Sequence, residues 1–455
     1  MAAGSGVDLI RGSIRPNLLR FAFPLFLGQL FQQLYNAVDA LVVGNIVGQD
    51  ALAAVTSTGS LIFLLVCILG GVFGGVSVVI ARCFGAGDER RLRRAVGTAV
   101  STALISGAAL TVIGVTATPA LLRLMDTPAS VLPDAVGYLR IYFSGILTVI
   151  LYNSANGIFQ AVGDSRRPLY YLMVSSAVNV ALDLFFVGAL QMGVKGAALA
   201  TVLAQGLSAI LAYTRLRRID APYRVTLHGV CFDRALAKEM IRIGLPSGVQ
   251  NSVIAFANVI VQSSVNSFGA AAVAGNGAYV KLEGFIFIPI NAFCSAATTF
   301  VSQNIGAREY GRVKEGAGFA VGFSCVCAAV LGAVFYFLAP TLVGLFGKSA
   351  EAIAAGVLRG RICSVAYVLL AMSHGIAAVC RGAGYAKVPM YVMLGVWCVF
   401  RVAYIQVVLH LFRSIALVFL AYPVTWGISS VIFLWYYRRS RWLERIREQA
   451  LPLPD

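Results

Sequence analysis

Three carboxylates stand inside runs that are predominantly apolar. Asp39 lies in LYNAVDALVVG, Asp183 in AVNVALDLFFVG and Glu283 in AYVKLEGFIFIP. An ionisable side chain inside a membrane span is costly, so it faces a water-filled cavity or a partner and marks an ion or substrate path. Two such acids brought together can share one proton near neutral pH, or bind sodium through oxygen ligands. Asn179 precedes Asp183 by four residues, one helical turn, and therefore shares its face. Gln29, Gln32, Gln33, Asn36 and Asp39 repeat at spacings of three and four near the N-terminus. The competing reading is structural: Asn179 or Thr201 could cap either acid in a helix-locking hydrogen bond.

These residues need helices to position them. The 455 residues are 59% hydrophobic and 12% charged, about half the charged fraction of a soluble domain. Mean hydropathy is +0.82. Apolar segments long enough to span as helices recur along the chain, and the short alternating segments of a barrel do not. The reading is an all-α polytopic membrane protein with twelve transmembrane helices: 17–44, 52–81, 95–118, 132–161, 168–190, 195–215, 240–267, 271–303, 316–339, 351–380, 388–411 and 414–437. The first apolar stretch continues as a full span and has no small-residue cleavage pattern. Nine cysteines show no metal spacing and read as small buried hydrophobes.

The net charge of +17 raises the question of a nucleic-acid partner, but the basic residues sit in particular connections. Arg82, Arg90, Arg91, Arg93 and Arg94 follow helix 2, and Arg166 and Arg167 follow helix 4. A further basic set, from Arg215 to Arg242, follows helix 6, and Arg438 to Arg447 form the tail. Connections after odd-numbered helices carry only Arg123, Lys195, Lys348 and Arg413. Excess Lys and Arg mark the cytoplasmic side, so both termini are expected in the cytoplasm of a plasma (inner) membrane protein.

The chain repeats itself at an offset of 221 residues. FGAGDERRLRRAVGTAV (84–100) matches IGAREYGRVKEGAGFAV (305–321), GDSRRP (163–168) matches GYAKVP (384–389), Arg140 falls on Arg361 and Gly48 on Gly269. Residues 1–215 and 240–437 are therefore two parallel six-helix lobes, joined by a cytoplasmic linker at 216–239 and followed by a basic tail at 438–455. Parallel repeats suit a transporter whose lobes rock about a central cavity. The acids do not repeat: Asp39 falls on Ile260, Asn179 on Phe400, Asp183 on Tyr404 and Thr201 on Tyr422.

Depth along the helices groups the candidates. Asp39, Asp183 and Thr201 each lie roughly 10 Å from the outer end of their helix at 1.5 Å per residue, and Tyr138 reaches a similar level. Asn153 and Asn156 count deeper. The substrate path is assigned to Gln32, Asn36, Asn153, Asn156, Asn258, Gln262 and Glu283. Glu283 most simply pairs with Arg401 or Lys281; the alternative is a second coupling acid.

In order and at duplicated spacing, FPLFLGQLFQQLYNAVDALVVGNIVG, GAGDERRLRRA, NGIFQAVGDSRRP, NVALD and FVSQNIGAREYGRVKEG resemble the MATE family of multidrug and toxic compound extrusion transporters. The resemblance covers nearly the whole chain. It implies two six-helix bundles forming a V-shaped cleft and antiport of an amphiphilic or cationic small molecule against inward H+ or Na+. It also implies a cation site, possible for Na+, at Asp39, Asn179, Asp183 and Thr201 with Tyr138, and a bend of the first helix at Pro24. Acids that other members carry in helices 7 and 10 are missing, apart from Glu351 at the end of helix 10.

No GxxxxGK[ST] motif is present, so an ion gradient is the expected energy source and no cofactor is expected beyond the coupling ion. Partners are expected to be small molecules and the lipid bilayer, not nucleic acid, with the chain a monomer. A lipid-linked oligosaccharide flippase of the same superfamily is the runner-up, but it calls for a strongly cationic cavity. An ion channel would need a filter or ring, usually supplied by oligomeric symmetry. An enzyme is not expected, because His228, His374 and His410 are scattered.

Overall fold

The computed structural model describes residues 6–46, 49–125, 127, 131–226, 229–346 and 349–449, with the side chains of 35–58, 60, 61 and 63 outside that description. Among the described residues every regular element is helical. In chain order these are α1 (Ile14–Ile46), α2 (Gln49–Ala86), α3 (Glu89–Leu124), α4 (Leu132–Ser144), α5 (Ile146–Ala161), α6 (Arg166–Asp183), α7 (Gly193–Arg218), α8 (Arg234–Asn266) and α9 (Ala270–Gly306). There follow α10 (Tyr310–Phe337), α11 (Ala339–Gly344), α12 (Ala350–Ser364), α13 (Tyr367–Gly382), α14 (Lys387–Met393), α15 (Arg401–Leu411), α16 (Ile415–Arg439) and α17 (Trp442–Gln449). A π-helical segment, Leu184–Ala189, continues α6, and another, Leu394–Phe400, joins α14 to α15.

Nine helical segments, counted through the π-segments, are long and apolar enough to cross a membrane, and two bent pairs bring the number among the described residues to eleven. The 33-residue α1 completes the twelve expected spans. Large apolar side chains stand exposed along them, among them Val112, Phe337, Val431 and Trp435. In water such a surface would invite association; in a bilayer it is the face that meets lipid. The protein is an all-α, multi-pass membrane protein.

The bends and turns repeat as faithfully as the sequence. The fourth span breaks at Gly145, between α4 and α5, with a 46° bend; its counterpart breaks between α12 and α13 with a 55° bend. At the repeat offset Gly145 falls on Ala366, which caps α13. Gly163 and Gly384, paired by the repeat, share a φ of +85°, a conformation that glycine adopts without steric cost. Gly87 at φ +70° pairs with Arg308 at φ +60°, so the left-handed turn persists even where a side chain must bear it.

The chain divides into two compact units. Unit 1 holds Met1–Val7 and Leu27–Gly244; unit 2 holds Asp8–Phe26 and Leu245–Asp455. Each lobe-opening helix thus changes unit along its length, α1 after Phe26 and α8 after Gly244. A proline lies beside each change, Pro24 in α1 and Pro246 in α8. Proline removes one intrahelical hydrogen bond and clashes with the preceding turn. Residues 8–26 are tied into unit 2 by Arg312, whose Nη1 donates to the Gly12 carbonyl at 2.8 Å, and by the buried Asn304, whose Nδ2 donates to the Leu9 carbonyl at 3.1 Å. Residues 234–244 are tied into unit 1 by a close helix approach: a Cβ on Gly75 would lie 2.4 Å from the Met240 carbonyl oxygen. The expected linker region, 216–239, belongs wholly to unit 1.

Candidate cation and substrate sites

In unit 1, α6 and α7 run side by side and bring three of the predicted residues together, Asn179, Asp183 and Thr201. Asn179 and Asp183 are buried, at 1% and 0% exposure. With its carboxamide nitrogen turned toward the acid, Asn179 donates to Asp183 Oδ2 at 2.8 Å and accepts from the Thr201 backbone N–H at 3.2 Å. The opposite orientation would set oxygen against oxygen. Thr201 thus enters the cluster through its backbone N–H. Tyr138, from α4, is buried against Val194 and Ala198 of α7, one turn before Thr201. Asp183 is the last α-helical residue before the π-segment, an irregularity that often accompanies functional sites. A buried carboxylate with a carboxamide beside it offers hard oxygen donors that can hold a proton or a small cation.

Asp39 and Asn36 lie outside the described side chains. Gln32 is half-buried on α1 in unit 1. Asn153 donates to its own helix at the Val149 carbonyl, 2.8 Å away, and Asn156 accepts from Gln160 at 2.9 Å. Both are half-buried. Pro24 is buried and falls in unit 2.

Unit 2 holds a second and larger polar cluster. Glu283 on α9 pairs with Arg359 of α12 at 2.6 Å, not with Arg401 or Lys281 as the sequence suggested. Lys281, two residues along α9, points to the exposed side and lies near the Phe346 ring. Asn276, two turns before Glu283 and so on the same face of α9, also accepts from Arg359. Close packing makes this possible: a Cβ on Gly275 would lie 2.2 Å from the Ala352 carbonyl oxygen, so only glycine lets α9 and α12 meet there. Tyr367 donates to Glu283 at 3.2 Å and shares a 2.7 Å hydrogen bond with Tyr279. From Asn276 the network continues outward through Gln262, at 2.6 Å, to Asn266.

Arg401 forms the other half of the cluster. It is fully buried and donates to Thr425 Oγ1 at 2.7 Å and to Asn258 Oδ1 at 3.3 Å. Its guanidinium lies 4.9 Å from the Trp397 ring and 4.8 Å from the Tyr422 ring. Arg359 reaches the same Tyr422 ring at 4.9 Å. Arg359 was not among the partners that the sequence suggested for Glu283. The repeat offset contained the missing signal, because Arg359 falls on Tyr138.

On the Arg-rich side, the connection before α8 docks on α3. Asp233 pairs with Arg94, and its backbone N–H donates to Thr98 Oγ1 at 3.2 Å. Hydrogen bonds from the Leu236 and Ala235 backbone N–H groups, with the Arg94 guanidinium beside them, hold the Asp233 carboxyl below the usual carboxylate range. Glu239 lies 3.0 Å from Arg91 and 3.6 Å from Arg82. Among the described residues no group of three or more His, Cys, Asp or Glu side chains forms a metal site.

The family model MatE matches residues 24–185 and again residues 246–407. The chain belongs to the MatE family. The two matched segments open on Pro24 and Pro246, the prolines beside which α1 and α8 change unit. Among MatE relatives, the probable multidrug resistance protein YoeA of Bacillus subtilis is 28% identical over 435 residues, 94% of each chain. The FAD transporter of Shewanella oneidensis is 25% identical over 355 residues, 75% of this chain and 76% of its own. A crystal structure of MATE in complex with MaL6 superposes with a TM-score of 0.91 at 24% identity, covering 98% of this chain and all of that one. MATE transporters are multidrug and toxic compound extrusion proteins. Family and relatives place the chain among membrane transporters of the multidrug type.

Proposed function

We propose that the chain is a secondary active antiporter that exports amphiphilic or cationic small molecules in exchange for inward H+ or Na+, by alternating access of its two lobes. The observation that carries this reading is the buried Asn179–Asp183–Thr201 cluster of unit 1. Asp183 with Asp39 loads the coupling ion, Asn179 and Thr201 shape the site, and Tyr138 borders it. Loading opposes substrate binding, and reciprocity requires that substrate oppose loading equally. Gln32, Asn36, Asn153 and Asn156 line the substrate path in one lobe; Asn258, Gln262 and the Glu283 network line it in the other. The chain acts as a monomer and needs no cofactor besides the ion.

The test is transport by proteoliposomes under an imposed pH gradient or an imposed sodium gradient, one at a time. One of the two is expected to drive uptake against a concentration gradient. Uptake that only equilibrates the substrate under both would refute antiport.

The plasma (inner) membrane orientation places both termini and the 216–239 linker in the cytoplasm, on the strength of the Arg distribution. Cys231, the exposed cysteine among the nine, sits in that linker. A membrane-impermeant maleimide is expected to label it only after cells are permeabilised, as would a single cysteine placed at Asp220. Ready labelling of intact cells reverses the orientation.

A further inference from the structure

The charge of the unit 2 cluster does not balance. Arg359 and Arg401 are fully buried, at 1% and 0% exposure, and Glu283 is the buried acid of the cluster. Glu283 is taken by Arg359. Among the described residues no carboxylate lies within 4.0 Å of Arg401, whose bonding partners Thr425 and Asn258 are neutral. Arg359 Nε likewise lacks a hydrogen-bond partner. An ion removed from water without a counter-charge is costly. A transporter that keeps a guanidinium in this condition has a use for it that a counter-ion from its own chain would block.

The position of the cluster sharpens the point. At the repeat offset, Arg359 occupies the place of Tyr138, Tyr422 that of Thr201, and Arg401 the place of Val180, next to Asn179 and three residues before Asp183. In both lobes a π-segment adjoins the charge: Leu184–Ala189 follows Asp183, and Leu394–Phe400 precedes Arg401. Duplication has thus placed a carboxylate site in one lobe and a guanidinium site at the corresponding place in the other.

Arg401 also has a route to the surface of its unit. Asn258, the residue that accepts from its Nη1, is exposed on α8, and Gln262 and Asn266 follow it at successive turns of the same face. A planar guanidinium matches the two oxygens of a carboxylate or phosphate better than any other side chain. Trp397 and Tyr422 hold its plane.

We propose that unit 2 contains a substrate subsite for an oxyanion, with Arg401 as the receptor for a carboxylate or phosphate group on an amphiphilic substrate. Asn258 occupies the guanidinium when no substrate is bound and yields to the incoming oxyanion. The inference rests on the export reading, whose substrate class it narrows to amphiphiles that carry an anionic group, zwitterions included.

The test uses a matched pair of dyes, tetramethylrhodamine with its free carboxylate and tetramethylrhodamine methyl ester without it. Binding to the full-length protein in neutral detergent is read by fluorescence polarisation. The wild type is expected to bind the carboxylate form at least about tenfold more tightly, the value of one good charged contact. Arg401→Gln should bring that ratio to about one, and Arg401→Lys should give an intermediate ratio. Asn258→Asp supplies an internal carboxylate to Arg401, so it too should lose the preference, while its Tm stays at or above that of the wild type. Should Arg401→Gln fail to fold, Asn258→Asp and Arg401→Lys carry the test.

A wild-type ratio near one, whether both dyes bind or neither does, overturns the subsite. So does a preference that survives Asn258→Asp. If phosphatidylglycerol abolishes the preference by competition, the site takes a lipid headgroup and the substrate proposal fails. Gradient-driven uptake of the methyl ester is scored separately, so loss of the subsite and loss of antiport are read on different measurements.

Discussion

The same span of the two lobes ends in opposite chemistry. In unit 1 it carries Asn179 and Asp183 on α6; in unit 2 it carries Arg401 at the start of α15. Around these residues the backbone is duplicated closely. The paired glycines Gly163 and Gly384 share one left-handed turn, and the preceding spans bend at corresponding places. Turns and bends are fixed by backbone sterics, so both copies must satisfy the same demands. The polar side chains inside the spans are under no such backbone demand, and the two lobes have separated there. A six-helix repeat can therefore serve as one scaffold for two buried polar clusters of opposite charge.

The sharpest way to break this comparison is to neutralise its acidic side. Asp183→Asn is expected to abolish gradient-driven export while leaving the protein folded, because it removes a desolvated charge rather than a packing contact. Near wild-type transport by this variant would make the cluster structural and remove the functional contrast between lobes.

Glu283 tests the basic side. Glu283→Gln leaves Arg359 buried without its carboxylate, and breaking a buried pair in this way costs about 3–5 kcal/mol. Thermal unfolding in detergent should fall markedly. Initial transport rates across pH and sodium, normalised to folded protein, should keep their wild-type dependence. A stable variant with altered cation dependence would give unit 2 a coupling acid and erase the asymmetry.

Pro24 probes the helix that unit 1 and unit 2 share. Pro24→Ala restores a hydrogen bond in α1 where the helix passes from one unit to the other. Transport should fall several-fold more than equilibrium substrate binding in detergent. Equal losses would mark the proline as a static kink, without a part in the transport cycle.

The smallest effect is expected at the cap of α8. Because the Asp233 carboxyl is held below its ordinary value, its contribution is complete above the unfolded carboxylate pKa of about 3.9. That contribution is lost as pH falls through the lower folded value. Asp233→Asn should lower Tm slightly at neutral pH, and the gap from wild type should close in acid. A gap that persists unchanged at pH 3 would assign the effect to something other than the charge.

Much of this was legible in the sequence for identifiable reasons. Hydropathy set the twelve spans, because a bilayer demands long apolar helices. The i, i+4 spacing of Asn179 and Asp183 was enough to place them together, since helix geometry alone decides it. The partner of Glu283 was not legible, because it depends on how closely α9 and α12 approach at Gly275, a tertiary fact. The change of unit within α1 and α8 was missed for a narrower reason. Pro24 and Pro246 are 222 residues apart, and the repeat offset of 221 sets Pro24 opposite Leu245. The contact between the Thr201 backbone N–H and Asn179 was not legible either, because it depends on how α6 and α7 pack.

The central claim is that the carboxylate cluster of unit 1 holds an ion that substrate displaces. It is tested by adding substrate to the purified protein in weakly buffered detergent and measuring released H+ with a pH-indicator dye and released Na+ with an ion-selective electrode. The account predicts release of one of the two ions, on the order of one per protein molecule, as linkage between opposed ligands requires, and no release from Asp183→Asn. Equal release from the variant and the wild type, or substrate binding by the wild type without release of either ion, would contradict it.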